Sequence, residues 1–241
     1  MKRKVIVTSV ILFIVALLAL GRRYYSDVYT NPVVISEREL LETEEAYEQL
    51  CEDIKADTAE YDFTVLINPL YGGSSSGAVA GELREADIAL SVAKYVKALN
   101  ENSNVRIILT RTGNTNPSME QRLEIFSLVN PDIILDICVS EDTASSVMGA
   151  SVLYDDTYYD YHLTNDRIAD IFEKSIVNKT YTVAKGIFPT GNNEKYSFIY
   201  GREKPAAVIS CGYITNGKEM AALSGREYRK NIALGILDGI D

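Results

Sequence analysis

From residue 63 onward, short apolar runs rich in Val and Ile alternate with stretches whose apolar residues recur at helical spacing. The runs are FTVLIN, VRIILT, DIILDICV, ASVLY and AAVIS, and the helical patterns cover residues 87–99, 119–129, 163–177 and 228–237. The runs lack polar alternation, which is typical of strands that are buried on both faces. The pattern therefore predicts an α/β domain with a mainly parallel twisted sheet and helices on both faces.

The N-terminal segment has a different character. Three basic residues precede an apolar run over residues 5–21, and two arginines follow it. The run is just long enough to cross a bilayer, and the excess of positive charge before it places the N-terminus in the cytoplasm. We therefore predict a single-pass anchor in the cell membrane, with the domain extracytoplasmic. A signal peptide cleaved near Gly21 is the alternative, and it would also export the domain.

The formal net charge of −10 is concentrated in one stretch. Residues 36–62 hold eleven Asp and Glu against Arg38 and Lys55. No predicted helix carries a basic stripe, so nucleic acid is excluded as a partner. The predicted organisation is a membrane anchor over residues 1–23, an acidic helical linker over residues 24–62, and one domain over residues 63–241.

Within the linker, apolar residues at helical spacing predict an amphipathic helix over residues 37–55. Such a helix packs on its own domain or stands as a spacer. Leu40, Tyr47 and Ile54 fall on one seam, so a partner-binding or coiled-coil helix is the alternative.

In parallel α/β sheets, the loops at the carboxyl ends of the strands form the site. Here these loops read NPLYGGSSSG, LTRTGNTN, CVSED and SCGYITN. Together with the segments READIALSVA and KEMAALSGREYRKNIALGILDGI, they resemble the zinc-dependent N-acetylmuramoyl-L-alanine amidases. That family cuts the bond between glycan and stem peptide in peptidoglycan. The resemblance covers about residues 64–240 and implies the family's fold.

The resemblance also assigns the positions that carry the family's reaction. Tyr71 and Cys138 stand where the family has zinc-binding histidines, Glu85 stands where it has its carboxylate ligand, and Ser210 stands where it has a catalytic Glu. Of these four positions, only Glu85 keeps the family's residue. The expected substrate groove consists of Tyr71, Glu85, Arg111, Cys138 and Ser210.

Elementary coordination chemistry argues against a catalytic zinc in this chain. Such a site needs about three His, carboxylate or thiolate ligands and an open position, whereas the chain has a single histidine, His162. Tyr71 must lose a proton of pKa near 10 before it binds a metal well. The hydroxyl of Ser210 cannot replace a carboxylate as general base. We therefore expect no zinc cofactor and no intact catalytic residue.

Other interpretations of these residues stay open. Cys138 and His162 could form a nucleophile pair, although a buried strand cysteine and a loop histidine explain the same residues. Glu85 at the start of a helix also suits the helix dipole. Arg111 and Arg122 are expected first as structural ion-pair partners and second as contacts for a peptide carboxylate.

Two further features concern strand geometry and aromatic residues. Cys211 follows Ser210 on a predicted strand, so its side chain should point to the opposite face, and a disulfide with Cys138 is not expected. Four tyrosines stand close together in a polar stretch and either contact sugar or peptide or pack on the domain. They are Tyr154, Tyr158, Tyr159 and Tyr161.

The function predicted from the sequence is that of a membrane-anchored, non-catalytic amidase-fold protein. Its partner is expected to be peptidoglycan or an envelope protein, such as an active hydrolase or a division or sporulation component. The alternative is an active amidase with altered metal ligands.

Overall fold

The computed structural model describes residues 36–157, 163–191 and 193–241. In chain order the elements are α1 (Glu37–Ala56), β1 (Phe63–Pro69), β2 (Val79–Ala80), β3 (Leu83–Arg84), α2 (Glu85–Leu99), β4 (Val105–Leu109), α3 (Met119–Val129), β5 (Ile133–Ser140), β6 (Ala150–Tyr154), α4 (Asn165–Thr180), β7 (Ala184–Pro189), a 3₁₀ turn (Glu194–Tyr196), β8 (Ala206–Tyr213), α5 (Gly217–Ser224) and α6 (Arg226–Ile240). The predicted anchor over residues 1–23 lies outside these residues. Within the described ranges, no helix combines the length and the apolar character needed to cross a membrane.

Six strands form one sheet in the order β4-β1-β5-β8-β6-β7. Strands β4, β1, β5 and β8 run parallel, β6 pairs antiparallel with β8, and β7 pairs parallel with β6. The predicted mainly parallel sheet is therefore confirmed. Strand β7 was not predicted, because its sequence AKGIFP contains a Gly and a Pro and no continuous apolar run. Such a sequence is tolerated at a sheet edge, where β7 lies mostly exposed.

The continuous apolar runs reflect a sheet that is covered on both sides. Val65 and Ile67 of β1 point into a core shared with α2, α4 and α6. Leu66, between them, points into a second core on the other face, which contains residues of α1 and α3. Because successive strand side chains alternate between faces, a sheet with two cores needs apolar residues at every position.

Helix α1 confirms the predicted amphipathic helix, but it belongs to the domain. Residues 38–241 form one compact unit, and Cys51 and Ile54 of α1 are buried in the second core. The end of the helix is held by an ion pair of 2.8 Å between Asp57 Oδ2 and Arg106 Nη2 of β4. Residues 38–62 therefore pack with the strands and helices that follow them, and the linker boundary at residue 63 stays a prediction. Leu40, which was predicted on the same seam as Ile54, is 54% exposed.

Candidate functional site

The parallel strands bring the predicted site residues to one edge of the sheet. Tyr71 follows the end of β1, Glu85 opens α2, and Cys138 lies near the end of β5, directly opposite Ser210 of β8. Gly77 lies close to both Glu85 and Tyr71. A Cβ atom at this position would be 2.6 Å from Glu85 Oε2 and 2.6 Å from the Tyr71 ring. Its φ of 65° is also in the left-handed region, so the turn requires glycine.

Glu85 is a buried carboxylate whose two oxygens are both occupied. It is 1% exposed. Its Oε2 accepts a hydrogen bond from the backbone N–H of Ala78 at 2.9 Å, and its Oε1 accepts one from the N–H of Val139 at 3.1 Å. The ammonium of Lys195 lies 3.0 Å from the same Oε1. The helix dipole alone therefore does not account for this carboxylate, because it has a specific cationic partner.

Lys195 was not predicted, and it lies at the centre of the site. Its Nζ is 3.5 Å from the Val139 carbonyl oxygen and 5.5 and 5.7 Å from the ring centroids of Tyr71 and Tyr196. Burial alone would lower the pKa of Lys195, but Cys138 and Glu85 more than offset it, so the pKa is raised. The side chain therefore stays a cation.

The segment between β7 and β8 carries this lysine to the site. Tyr196, Phe198 and Ile199, immediately after Lys195, are buried in the second core, so the segment crosses that face of the sheet. Little in the sequence indicated that Lys195 belongs to the site, because a single lysine in a polar loop after an unpredicted edge strand resembles any surface residue.

Tyr71 occupies an unusual backbone conformation. Its φ is 61°, in the left-handed region that bulky side chains rarely adopt and that His, Asn and Asp adopt more often. Burial raises the pKa of its phenol, with Lys195 acting in the opposite sense. The phenol is therefore protonated at neutral pH and makes a poor metal ligand.

Cys138 is a fully buried thiol. Burial raises its pKa to about 12, and the Tyr196 side chain hydrogen-bonds to it. A protonated thiol is not a nucleophile. His162, the other member of the hypothetical nucleophile pair, lies outside the described residues. Cys211 belongs to the opposite core, which confirms the predicted alternation, and all three cysteines are free.

Ser210 is also fully buried. Its Oγ lies 2.6 Å from the Oγ of Ser140, and its register partner on the other side is Ser151 of β6. This position thus holds a pair of hydroxyl groups, and neither of them has the basicity of a carboxylate.

Arg111 lies beneath the site rather than in a groove. It is 2% exposed, and its guanidinium donates to the backbone carbonyls of Pro69, Leu70, Ala86 and Gly113 at 2.9 to 3.1 Å. These bonds tie the turn after β1 to the first turn of α2. The expected contacts of this arginine with an acidic side chain or a peptide carboxylate are therefore replaced by contacts with the protein's own backbone.

A cavity of about 230 Å³ opens beside the site. Its lining combines amide, cationic and apolar side chains: Asn68, Leu70, Tyr71, Asn116, Met119, Arg122, Glu194, Lys195, Ser197 and Phe198. Of the five predicted groove residues, Tyr71 lines this cavity, and the others are at most 2% exposed. Arg122 is fixed here by bonds to Asn68 Oδ1, to Asn116 Oδ1 and to the Pro117 carbonyl.

The predicted tyrosine cluster is described only at its first member. Tyr154 ends β6 and packs against the first core. Tyr158, Tyr159 and Tyr161 lie outside the described residues, so their contact with sugar or peptide stays a prediction.

The donor set at the edge of the sheet does not fit a catalytic zinc. Its donors are the phenol of Tyr71, the fully buried thiol of Cys138 and one carboxylate, Glu85, which already binds an ammonium and two backbone amides. Among the residues with described positions, no cluster of three or more His, Cys, Asp or Glu could hold a metal ion. A hydrolytic zinc needs about three such ligands.

Comparison with known proteins identifies the fold. The catalytic domain of CwlV, an N-acetylmuramoyl-L-alanine amidase from Bacillus (Paenibacillus) polymyxa var. colistinus, superposes with a TM-score of 0.66 at 25% identity, over 74% of this chain and 96% of that one. The CwlD amidase from Clostridioides difficile, solved in complex with the GerS lipoprotein, gives 0.67 at 22% identity, over 74% and 96% of the two chains. At that identity, the second likeness concerns the fold alone.

The sequence comparisons agree with the fold. The N-acetylmuramoyl-L-alanine amidase LytC of Bacillus subtilis (strain 168) is 25% identical over 176 residues, which is 73% of this chain and 34% of LytC. The chain thus spans about a third of that relative's length. The family model described as N-acetylmuramoyl-L-alanine amidase matches residues 65–241, close to the extent predicted from the motifs. The chain belongs to the N-acetylmuramoyl-L-alanine amidase family.

Proposed function

We propose that this chain is a non-catalytic member of the amidase family that binds the stem peptides of peptidoglycan. The observation that carries the proposal is the Lys195–Glu85 ion pair at the position of the family's metal chemistry. It uses the one carboxylate that the family's ligand set retains. Without a cation that activates water, and with Ser210 in place of a carboxylate, the site lacks both the nucleophile and the general base of a hydrolase.

The cavity beside the ion pair supports binding as the remaining role. Its polar lining includes the amide of Asn116 and the charged groups of Arg122 and Lys195. Amides and guanidinium groups suit the amide and carboxylate groups of a peptide. The apolar side chains of Leu70 and Phe198 in the same wall offer contact area for the peptide's carbon atoms.

The decisive experiment combines metal analysis with a wall-binding assay on the full chain, purified in mild detergent. Zinc content is measured by mass spectrometry, release of soluble material from purified cell walls is followed with and without chelator, and binding is measured by co-sedimentation with the same walls. Walls stripped of their stem peptides by an active amidase are the matched control.

We expect substoichiometric zinc, no release of soluble material, and sedimentation with intact walls that is lost on stripped walls. Stoichiometric zinc together with chelator-sensitive release would establish the rival function, an active amidase with altered ligands. Equal sedimentation with intact and stripped walls would contradict recognition of the stem peptide. Failure to sediment with any wall would leave an envelope protein as the partner. The CwlD complex with a lipoprotein is a precedent for that kind of partner in this fold.

We further propose that the apolar run over residues 5–21 anchors the chain in the cell membrane, with the amidase-fold domain outside. The support is the length of the run and the basic residues on both of its sides. The chain should stay with the membrane fraction after alkaline extraction, and protease added to spheroplasts should digest the domain. Release of the chain by alkali would favour the cleaved signal peptide.

A further inference from the structure

We propose that the ammonium of Lys195 is the resident cation of this site and takes the place of a divalent metal ion. The inference rests on the proposed non-catalytic function. Glu85 is almost completely buried, and an isolated carboxylate at such a depth is strongly unfavourable. The charge that compensates it comes from a residue 110 positions later in the sequence.

The environment of Lys195 matches the needs of a buried ammonium group. Its Nζ donates to Glu85 Oε1 at 3.0 Å and to the Val139 carbonyl at 3.5 Å. The rings of Tyr71 and Tyr196 flank the same nitrogen at 5.5 and 5.7 Å, within the range of cation–π contacts. The side chain of Lys195 is 26% exposed, so most of its length is withdrawn from water.

The ammonium also opposes the binding of a second cation. A zinc–carboxylate bond is about 2.0–2.2 Å long, so a metal on Glu85 Oε1 would lie within a few ångströms of the ammonium. Two cations at that separation repel strongly in a partly buried site. Restoring the histidines of the family at positions 71 and 138 should therefore be insufficient for zinc binding while Lys195 remains.

A double-mutant cycle on the full chain tests the pair without reference to cell walls. We expect Lys195→Met to raise the equilibrium constant for unfolding roughly 10- to 100-fold, because one partner of a buried pair is left uncompensated and solvent screens only part of the effect. The double variant with Glu85→Gln should lose less stability than the two single variants together. We expect the two changes to be coupled by a factor of roughly five or more in the equilibrium constant for unfolding. The control is Lys179→Met, which breaks an exposed pair of similar length, 2.9 Å to Asp238. Additive single effects, or a Lys195→Met variant as stable as the control, would overturn the proposal.

Zinc titration provides the second test. The variant Tyr71→His/Cys138→His is compared with the same variant carrying Lys195→Ala, by competition between zinc chloride and a fluorescent chelator. The left-handed backbone at Tyr71 accepts histidine. We expect zinc affinity to rise at least roughly tenfold on removal of the lysine, because the repulsion disappears. Equal affinity of the two variants would contradict the proposal.

The two proposals fail in different ways. Stoichiometric zinc in the unmodified chain would overturn the non-catalytic function as well as this inference. A zinc-free chain that shows no coupling between Lys195 and Glu85 would overturn this inference alone. If the histidine variants do not fold, the double-mutant cycle decides the question.

Discussion

Arg111 should be one of the largest single contributors to the stability of this domain. Its guanidinium donates to four backbone carbonyls, which lie at the turn after β1, in the first turn of α2 and in its own loop. Four hydrogen bonds from a charged donor contribute ~6 kcal/mol at ~1.5 kcal/mol each. The opposing cost is that of burying the charge: burial, and to a lesser extent Arg122, lowers the pKa of Arg111 from 12.5 to about 10. A pKa shift of that size corresponds to a free-energy cost of ~3 kcal/mol for the buried charge.

The hydrogen bonds therefore outweigh the cost of burial by ~3 kcal/mol. We expect Arg111→Met to lower the free energy of unfolding by about that amount, because the methionine leaves four carbonyls without their donors. For a domain of this size, the loss corresponds to a melting temperature ~6–12 °C lower. Arg111→Lys should recover little of it, since a point charge with three donors cannot span four carbonyls. Thermal unfolding of the full chain, followed by circular dichroism, measures the effect.

The matched control is Arg38→Met. Arg38 is an exposed arginine that is paired only with Glu42 on its own helix, and its replacement should leave the melting temperature unchanged. If Arg111→Met melted within about 2 °C of the unmodified chain, the guanidinium would not be the clamp that joins the turn after β1 to α2. The same result would refute the reasoning that this residue serves the backbone.

Two other predictions concern the thiols and the docking of α1. Cys51, Cys138 and Cys211 are buried and unpaired, so none should react with Ellman's reagent in the native chain. All three should react in denaturant. Rapid reaction of Cys138 in the native chain would instead support a nucleophilic cysteine. The Ala59 amide and Arg106 lower the pKa of Asp57, so the ionised form stabilises the fold above the ordinary pKa of 3.8, and this contribution is lost as the pH falls through the lower folded value. Urea titrations should show Asp57→Asn less stable by ~0.5–1 kcal/mol at pH 7, with a difference that shrinks below about pH 4; a constant difference would show that the ion pair with Arg106 does not hold α1.

Much of the fold was predictable because local sequence patterns determine its strands and helices. The Val- and Ile-rich runs identified five of the strands in the central sheet, and helical spacing identified α1, α2, α3, α4 and α6. Strand β7 escaped because a half-exposed edge strand does not need an apolar run. The loops after Ile67 and Val139 were correctly placed at one edge of the sheet, since parallel strands bring their carboxyl ends together.

The candidate site was predictable only in part. Tyr71, Glu85, Cys138 and Ser210 do meet at the expected edge. The surroundings of each side chain could not be predicted from their spacing. Arg111 lay in a loop that was expected to line a groove, and only the packing of the turn after β1 against α2 reveals that its donors are used by the backbone.

The sequence by itself determined the class of fold and the membership of the family, because periodicity and residue identity are local properties of the chain. Tertiary structure alone decided what surrounds Glu85. The segment between β7 and β8 crosses one face of the sheet and delivers Lys195 to Glu85, and α1 docks on that same face. Contacts between distant segments depend on how buried surfaces fit together in three dimensions, and no spacing along the chain encodes them.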